Sequence, residues 1–152
     1  MTRFPSAVIW FNRLLLTVGT FIMTTIALRN LRDPIGATMP IGIVLSSPTA
    51  ITFARVGLGG FPLGLAVALF GCLISTRRLL VGVSLLLAVI GAVTVARIQG
   101  LVMDGVTSYN VQRLRPEIAL LILSTIGIAL ERRRRSEGGG RNDGMLRPSV
   151  SR

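Results

Sequence analysis

Charged residues stand inside stretches that are otherwise apolar. Arg55, Arg97 and Glu117 lie deepest in these stretches, and Asp104 lies at the edge of one of them. Arginine and carboxylate side chains at such depth can pair with one another, or they can bind an ion or an anionic ligand. A charge near the bilayer centre costs at least about 2.5–3.5 kcal/mol on insertion scales, so we expect each of these side chains to meet a partner. Chemistry or binding is therefore expected first at these positions.

Four long apolar stretches surround these charges. They run roughly Trp10–Leu28, Pro48–Ile74, Leu79–Met103 and Tyr109–Leu130. A helix that rises about 1.5 Å per residue needs about 20 residues to cross a hydrocarbon core about 30 Å thick, and each stretch is long enough. The helices of a soluble bundle would instead carry polar residues every three to four positions. Leu79–Ala96 has only Ser84 and Thr94 as polar residues, which excludes the soluble class.

The sequence thus predicts an all-α integral membrane bundle of four transmembrane helices, at about residues 10–28, 48–74, 79–103 and 109–130. Ser47 followed by Pro48 predicts the start of the second helix, with serine as the N-cap and proline at the first helical position. Residues 1–135 form the transmembrane domain. Residues 136–152 are rich in glycine, serine and arginine, and we expect them to be a disordered basic tail.

The distribution of arginine along the sequence predicts how the chain is oriented in the membrane. All 17 basic residues are arginine and the formal net charge is +11. The side that would hold both termini carries Arg3, Arg13, Arg77, Arg78, Arg132, Arg133, Arg134, Arg135, Arg141, Arg147 and Arg152, whereas the other side carries Arg29, Arg32, Arg55, Arg97, Arg113 and Arg115. The excess places both termini in the cytoplasm. We expect Arg132–Arg135 to contact anionic lipid head groups. Nucleic acid is not an expected partner, since it would require a basic face on a soluble fold.

Because the helix directions alternate, Arg55, Arg97 and Glu117 fall in the same outer half of the membrane. We expect an ion-pair cluster that faces the bundle interior, with Glu117 bridging the two arginines. Asp104, seven residues after Arg97, is placed to pair with it from the rim. Two roles stay open: fastening of helices two to four, which we favour, and an ion or anionic-ligand site, since two arginines against one glutamate leave spare positive charge.

Small residues recur along helices two and three. On helix two they are Gly57, Gly60, Gly64, Ala68 and Gly71, and on helix three they are Ser84, Ala88, Ala92 and Ala96. Gly60 and Gly64 have the spacing that lets membrane helices approach backbone to backbone. We expect these stripes to pack the two helices on each other within one chain, in preference to forming a dimer interface.

Groups for catalysis are scarce. The chain has no histidine and a single cysteine, Cys72, so it lacks the usual general base and the commonest metal ligands. We expect no catalytic residues, no enzyme activity, no cofactor and no metal. Two functions remain: a structural or accessory membrane component, which we favour, and a small transporter or lipid- or anion-binding protein. The lipid bilayer is the expected partner, and a homo-oligomer or a larger membrane complex both remain open.

Several short motifs resemble a known family. They are Arg55-Val-Gly-Leu-Gly-Gly, Leu63-Gly64, Arg97-Ile-Gln-Gly100-Leu and Asp104-Gly105. Over roughly Ala50–Arg133 the chain is similar to the small four-helix bacterial membrane proteins called domain of unknown function 4345, which also have a glutamate in helix four. It departs at Val56-Gly57-Leu58, where that family often has an aromatic residue. The resemblance implies a bacterial inner-membrane location and importance for Arg55, Arg97, Asp104 and Glu117, but no activity.

Overall fold

The computed structural model of this chain describes the backbone of residues 3–143 and the side chains of residues 6–136. Within that range the chain is helical and has no strand. The α-helices are α1 (Arg3–Arg32), α2 (Pro34–Thr38), α3 (Pro48–Ala54), α4 (Phe61–Ile74), α5 (Leu79–Met103) and α6 (Ser108–Asp143). A 3₁₀ turn, Met39–Ile41, follows α2, and a π-helical segment, Arg55–Gly60, joins α3 to α4.

Among the described residues, three helical segments are long and apolar enough to cross a membrane. They are Ser6–Arg32, Pro48–Ile74 and Leu79–Met103. They coincide with the first three apolar stretches of the sequence, and most of their side chains face outward from the chain. Outward apolar side chains are stable when the surroundings are lipid and costly when they are water. These segments indicate a helical membrane protein.

Helix α6 differs from the expected fourth span. It is helical over the predicted range, but only thirteen uncharged residues separate Glu117 from Glu131. At about 1.5 Å per residue they cover about 20 Å, less than a hydrocarbon core of about 30 Å. The helix also continues to Asp143, so residues 136–143 are helical where we expected disorder. Residues 144–152 of the expected tail lie outside the described residues.

The second apolar stretch contains a change of helix type. Ser47 caps α3 as predicted: its Oγ accepts a hydrogen bond from the backbone N–H of Ala50 at 3.1 Å. Pro62 lies two residues after the end of the π-helical segment. It has no N–H to donate, and its ring crowds the carbonyl one turn earlier. A wider turn just before a proline relieves that crowding. The backbone N–H of Phe61 accordingly bonds the carbonyl of Val56, five residues back.

The chain divides into two compact units, one formed by the start of α1 with α5 and α6, the other by Leu16–Arg78. In the first unit α5 packs on α6. Helix α5 buries Leu79, Val83, Leu86, Ile90 and Thr94, whose spacing of three and four residues places them on one face. Asn12 of α1 is fully buried, and its Nδ2 donates to the carbonyl of Gly127 in α6 at 3.3 Å.

The second unit contains one very close backbone approach, between the π-helical segment and the end of α1. A β-carbon built on Gly59 would lie 2.8 Å from Cγ of Leu31 and 3.3 Å from its backbone nitrogen. No side chain larger than glycine fits at that position without displacing the backbone. Gly57, two residues earlier, is open, since a β-carbon there would meet no atom within 4 Å.

We expect Gly59→Ala to destabilise the protein by about 1–3 kcal/mol, because the new methyl group would overlap Leu31. Gly57→Ala is the matched control in the same segment, and it should leave the stability unchanged or raise it slightly through better helix propensity. Thermal unfolding in one detergent, followed by circular dichroism, measures both. Equal melting temperatures for the two variants would contradict the close approach.

Candidate functional site

A bidentate ion pair joins α5 to α6. Nε of Arg97 donates to both carboxylate oxygens of Glu117, at 3.0 Å to Oε1 and 2.9 Å to Oε2. Nη2 of Arg97 also donates to Oε1, at 2.7 Å. Charge-assisted bonds in this paired geometry are among the strongest side-chain interactions. Of the four charged residues singled out in the sequence, the structure brings these two together.

Asn110 adds a third member that the sequence did not suggest. Nη1 of Arg97 donates to Oδ1 of Asn110 at 3.3 Å. The short turn between the two helices places the three side chains together: Gly105 takes the left-handed conformation, with φ +94°, and α6 begins three residues later. Thr107 holds the start of α6, since its Oγ1 accepts from the backbone N–H of Asn110 at 3.4 Å.

The site is nearly charge-neutral and mostly shielded. One guanidinium faces one carboxylate, and the two side chains are 22% and 17% exposed. All three nitrogens of the guanidinium of Arg97 donate to α6. Such a network fixes the register of one helix on the other.

The structure does not extend the pair to the other two predicted members. Asp104 belongs to the same unit but is exposed, and its carboxylate forms no hydrogen bond or ion pair with the described residues. It lies beyond the last turn of α5, and Arg97 is already bonded to Glu117 and Asn110. Arg55 belongs to the other unit and is also exposed, without a bonded partner in the described part of the chain. A four-member cluster stays a prediction.

The small-residue stripes are open surfaces in this structure. A β-carbon at Gly57, Gly64 or Gly71 would meet nothing within 4 Å. On α5 the whole stripe is exposed: Ser84, Ala88, Ala92 and Ala96. The buried face of α5 is instead its face of large residues, which contacts α6. Contact between the stripes themselves stays a prediction.

Two residues of the C-terminal arginine run, Arg134 and Arg135, form ion pairs with Glu131, whose side chain is fully buried. Nη2 of Arg134 donates to Oε1 of that carboxylate at 2.6 Å, and Nε of Arg135 donates to it at 3.0 Å. Burial by itself would raise the pKa of Glu131, but these hydrogen bonds outweigh it and hold the pKa below its ordinary value. The carboxylate thus adds stability above its ordinary pKa, and that stability is lost as the pH falls through the lowered pKa.

The role of Glu131 could have been found in the sequence, because arginines three and four residues later lie beside it on a helix.

No comparable signal in the sequence pointed to Asn12. Its Oδ1 is buried and has no hydrogen-bond partner among the described residues, and the same holds for Oγ of Ser124. Contact between Asn12 and Gly127 joins residues 115 positions apart, which no local pattern reveals.

Comparison of the chain with protein-family models, with curated proteins and with solved structures finds no match. The similarity to domain of unknown function 4345 therefore stays a prediction. Within the described residues, no group of three or more cysteine and carboxylate side chains lies close enough together to hold a metal ion. The site must be interpreted from its own geometry.

We expect Glu117→Gln to lower the free energy of unfolding by about 1–3 kcal/mol, because it removes charged acceptors from Arg97 and leaves that guanidinium without a counter-charge. Asp104→Asn changes a carboxylate in the same unit that has no such partner, and it should change stability by less than about 0.5 kcal/mol. Denaturant or thermal unfolding of both variants in one detergent makes the comparison. Wild-type stability for Glu117→Gln would exclude a stabilising pair.

Proposed function

We propose that this chain is a multi-pass membrane protein with a structural or accessory role, in which Arg97 and Glu117 fasten α5 to α6. The observation that carries the proposal is that all three guanidinium nitrogens of Arg97 donate hydrogen bonds to α6. A site that binds a transported anion needs positive charge that is available to the ligand. Here the positive charge of Arg97 is already matched by a carboxylate of the same hairpin.

We also propose that α6 is a fourth span, with both termini in the cytoplasm of a bacterium and the helices in its inner membrane. Support comes from the neutralisation of both glutamates that bound its uncharged segment, Glu117 by Arg97 and Glu131 by Arg134 and Arg135. A paired charge costs less in the membrane than a lone one. The remaining mismatch in length can be met by local thinning of the bilayer and by arginines that reach toward the head groups.

In this proposal the outward faces of the helices contact lipid or other membrane proteins. Large apolar side chains are exposed along α4, among them Phe61, Val67 and Phe70. Arg132 of α6 is exposed and suited to anionic head groups, whereas Arg134 and Arg135 are held by Glu131. The accessory role includes assembly with further copies or with a larger membrane complex. It requires neither a cofactor nor a catalytic residue.

A second candidate is a small transporter or an anion-binding protein that uses the same site. The observation in its favour is the residual exposure of both members of the pair, 22% for Arg97 and 17% for Glu117. A ligand carboxylate or phosphate could compete with Glu117 for the guanidinium if water reaches the site. The two functions therefore differ in whether an aqueous path leads to Arg97.

Cysteine accessibility in native membranes separates them. Single cysteines are placed beside the pair, at Val93 and Leu114, in a Cys72→Ser background, with one at Ser75 between α4 and α5 as the loop control. We expect a water-soluble maleimide to label the loop position and to leave the two positions beside the pair unlabelled. Labelling beside the pair, together with protection by an added anion, would reject the structural role in favour of the transporter.

A further inference from the structure

An apolar groove of about 490 Å³ opens on the surface of the second unit, beside the π-helical segment. It is lined by Val56, Gly60, Phe61, Gly64 and Leu65. Its lining lies within Pro48–Ile74, one of the segments long and apolar enough to cross a membrane. The groove is therefore expected to face hydrocarbon and not water.

Two local features create the groove. The wide turn before Pro62 changes the direction in which successive side chains leave the helix. Glycine at 60 and 64 then leaves a channel between the larger side chains, and a β-carbon at Gly64 would meet nothing within 4 Å. A β-carbon at Gly60 would lie 3.9 Å from the carbonyl oxygen of Arg55, so the backbone of that arginine borders the channel.

Arg55 supplies a charge at one end of the groove. Its side chain is exposed and has no hydrogen bond or ion pair with any residue that the structure describes. It lies seven residues after Pro48, where the helical segment begins, which is about 10 Å along the axis. An arginine at this depth can extend its long side chain back toward the head groups while its stem stays in hydrocarbon.

We propose that the groove and Arg55 together form a binding site for an anionic phospholipid. An acyl chain lies along Gly60 and Gly64, and the phosphate oxygens accept hydrogen bonds from the guanidinium of Arg55. The site offers something to both parts of such a lipid: an open apolar groove for the chain and, in Arg55 directly before the lining residue Val56, a planar donor that can bind phosphate bidentately. A lipid phosphate also supplies the counter-charge that an arginine needs at this depth.

The site shares no residue with the pair on α5 and α6 and does not depend on the role proposed for that pair. Its residues all belong to the unit Leu16–Arg78. It also differs from the arginine run at the end of α6, where charge alone would attract anionic head groups. A specific site must depend on the shape of the groove as well as on the charge of Arg55.

Native mass spectrometry of the detergent-solubilised protein, titrated with dioleoylphosphatidylglycerol, tests the proposal. Arg55→Gln removes the phosphate donor, and Gly64→Ile places a side chain in the groove at a position where a β-carbon would meet nothing within 4 Å. Each variant should weaken the affinity for the first bound lipid roughly tenfold. Arg55→Gln loses about one charge-assisted hydrogen bond to the phosphate, and Gly64→Ile loses the contact with the acyl chain. Arg113→Gln, also an exposed arginine, and Gly71→Ile, also at an open glycine, are the matched controls and should bind as the wild type does.

Dioleoylglycerol, which has the same chains and no phosphate, is the second probe. It should bind weakly to the wild type, and Arg55→Gln should not weaken it further, whereas Gly64→Ile should. Arg55→Lys keeps a charge and loses the planar donor, so an intermediate affinity for phosphatidylglycerol is expected if Arg55→Gln does not fold. Unfolding followed by circular dichroism establishes that each variant is folded before its affinity is compared.

Three results would overturn the site. Unchanged phosphatidylglycerol affinity in both Arg55→Gln and Gly64→Ile would show that lipid binds elsewhere. Loss with Arg55→Gln and none with Gly64→Ile would show attraction by charge without a groove. A fall in melting temperature for Arg55→Gln that is non-additive with Glu117→Gln, with lipid affinity unchanged, would show that a carboxylate of the protein is the partner of Arg55.

Discussion

A charged side chain is tolerated within or at the edge of hydrocarbon only when an opposite charge meets it, and this constraint organises the described part of the chain. Glu117 and Glu131 bound the uncharged segment of α6, and arginines bind both carboxylates. The first pair links two helices and the second lies within one. In the proposed fourth span, each pair removes a charge that would otherwise oppose the insertion of α6.

Packing between helices accounts for the other close contacts within each unit. Helix α5 uses its large apolar residues against α6, and its small residues stay on the outside. In the other unit a single glycine, Gly59, permits contact with Leu31, and the π-helical segment around it accommodates Pro62. Close contact in membrane proteins depends on such fits, because lipid tails surround the helices as favourably as apolar side chains do.

The sequence predicted what depends on length, composition and local spacing. The four predicted helical ranges and the cap at Ser47 follow from short patterns, and the structure is helical over those ranges and contains the cap. It also predicted a link between Arg97 and Glu117, since an isolated charge at that depth is costly. The sequence could not predict contacts that depend on the relative orientation of the helices. These are the choice of the buried face of α5, the bond from Arg97 to Asn110, and the bond from Asn12 to Gly127. These contacts depend on how the helices pack. The spacing of residues shows which of them share a helix face, but it does not show which other helix that face contacts.

The account depends on the ion pair between α5 and α6, and exchange of its charges tests it most directly. Arg97→Glu and Glu117→Arg each place two like charges in contact, and each should lower the melting temperature in lipid nanodiscs. The double variant restores opposite charges at the same two positions. If the pair fastens the helices, the double variant recovers most of the loss, so that the two effects are strongly non-additive. A double variant as unstable as the sum of the two single changes would show that the two side chains do not act on each other, and the fastening role would fall.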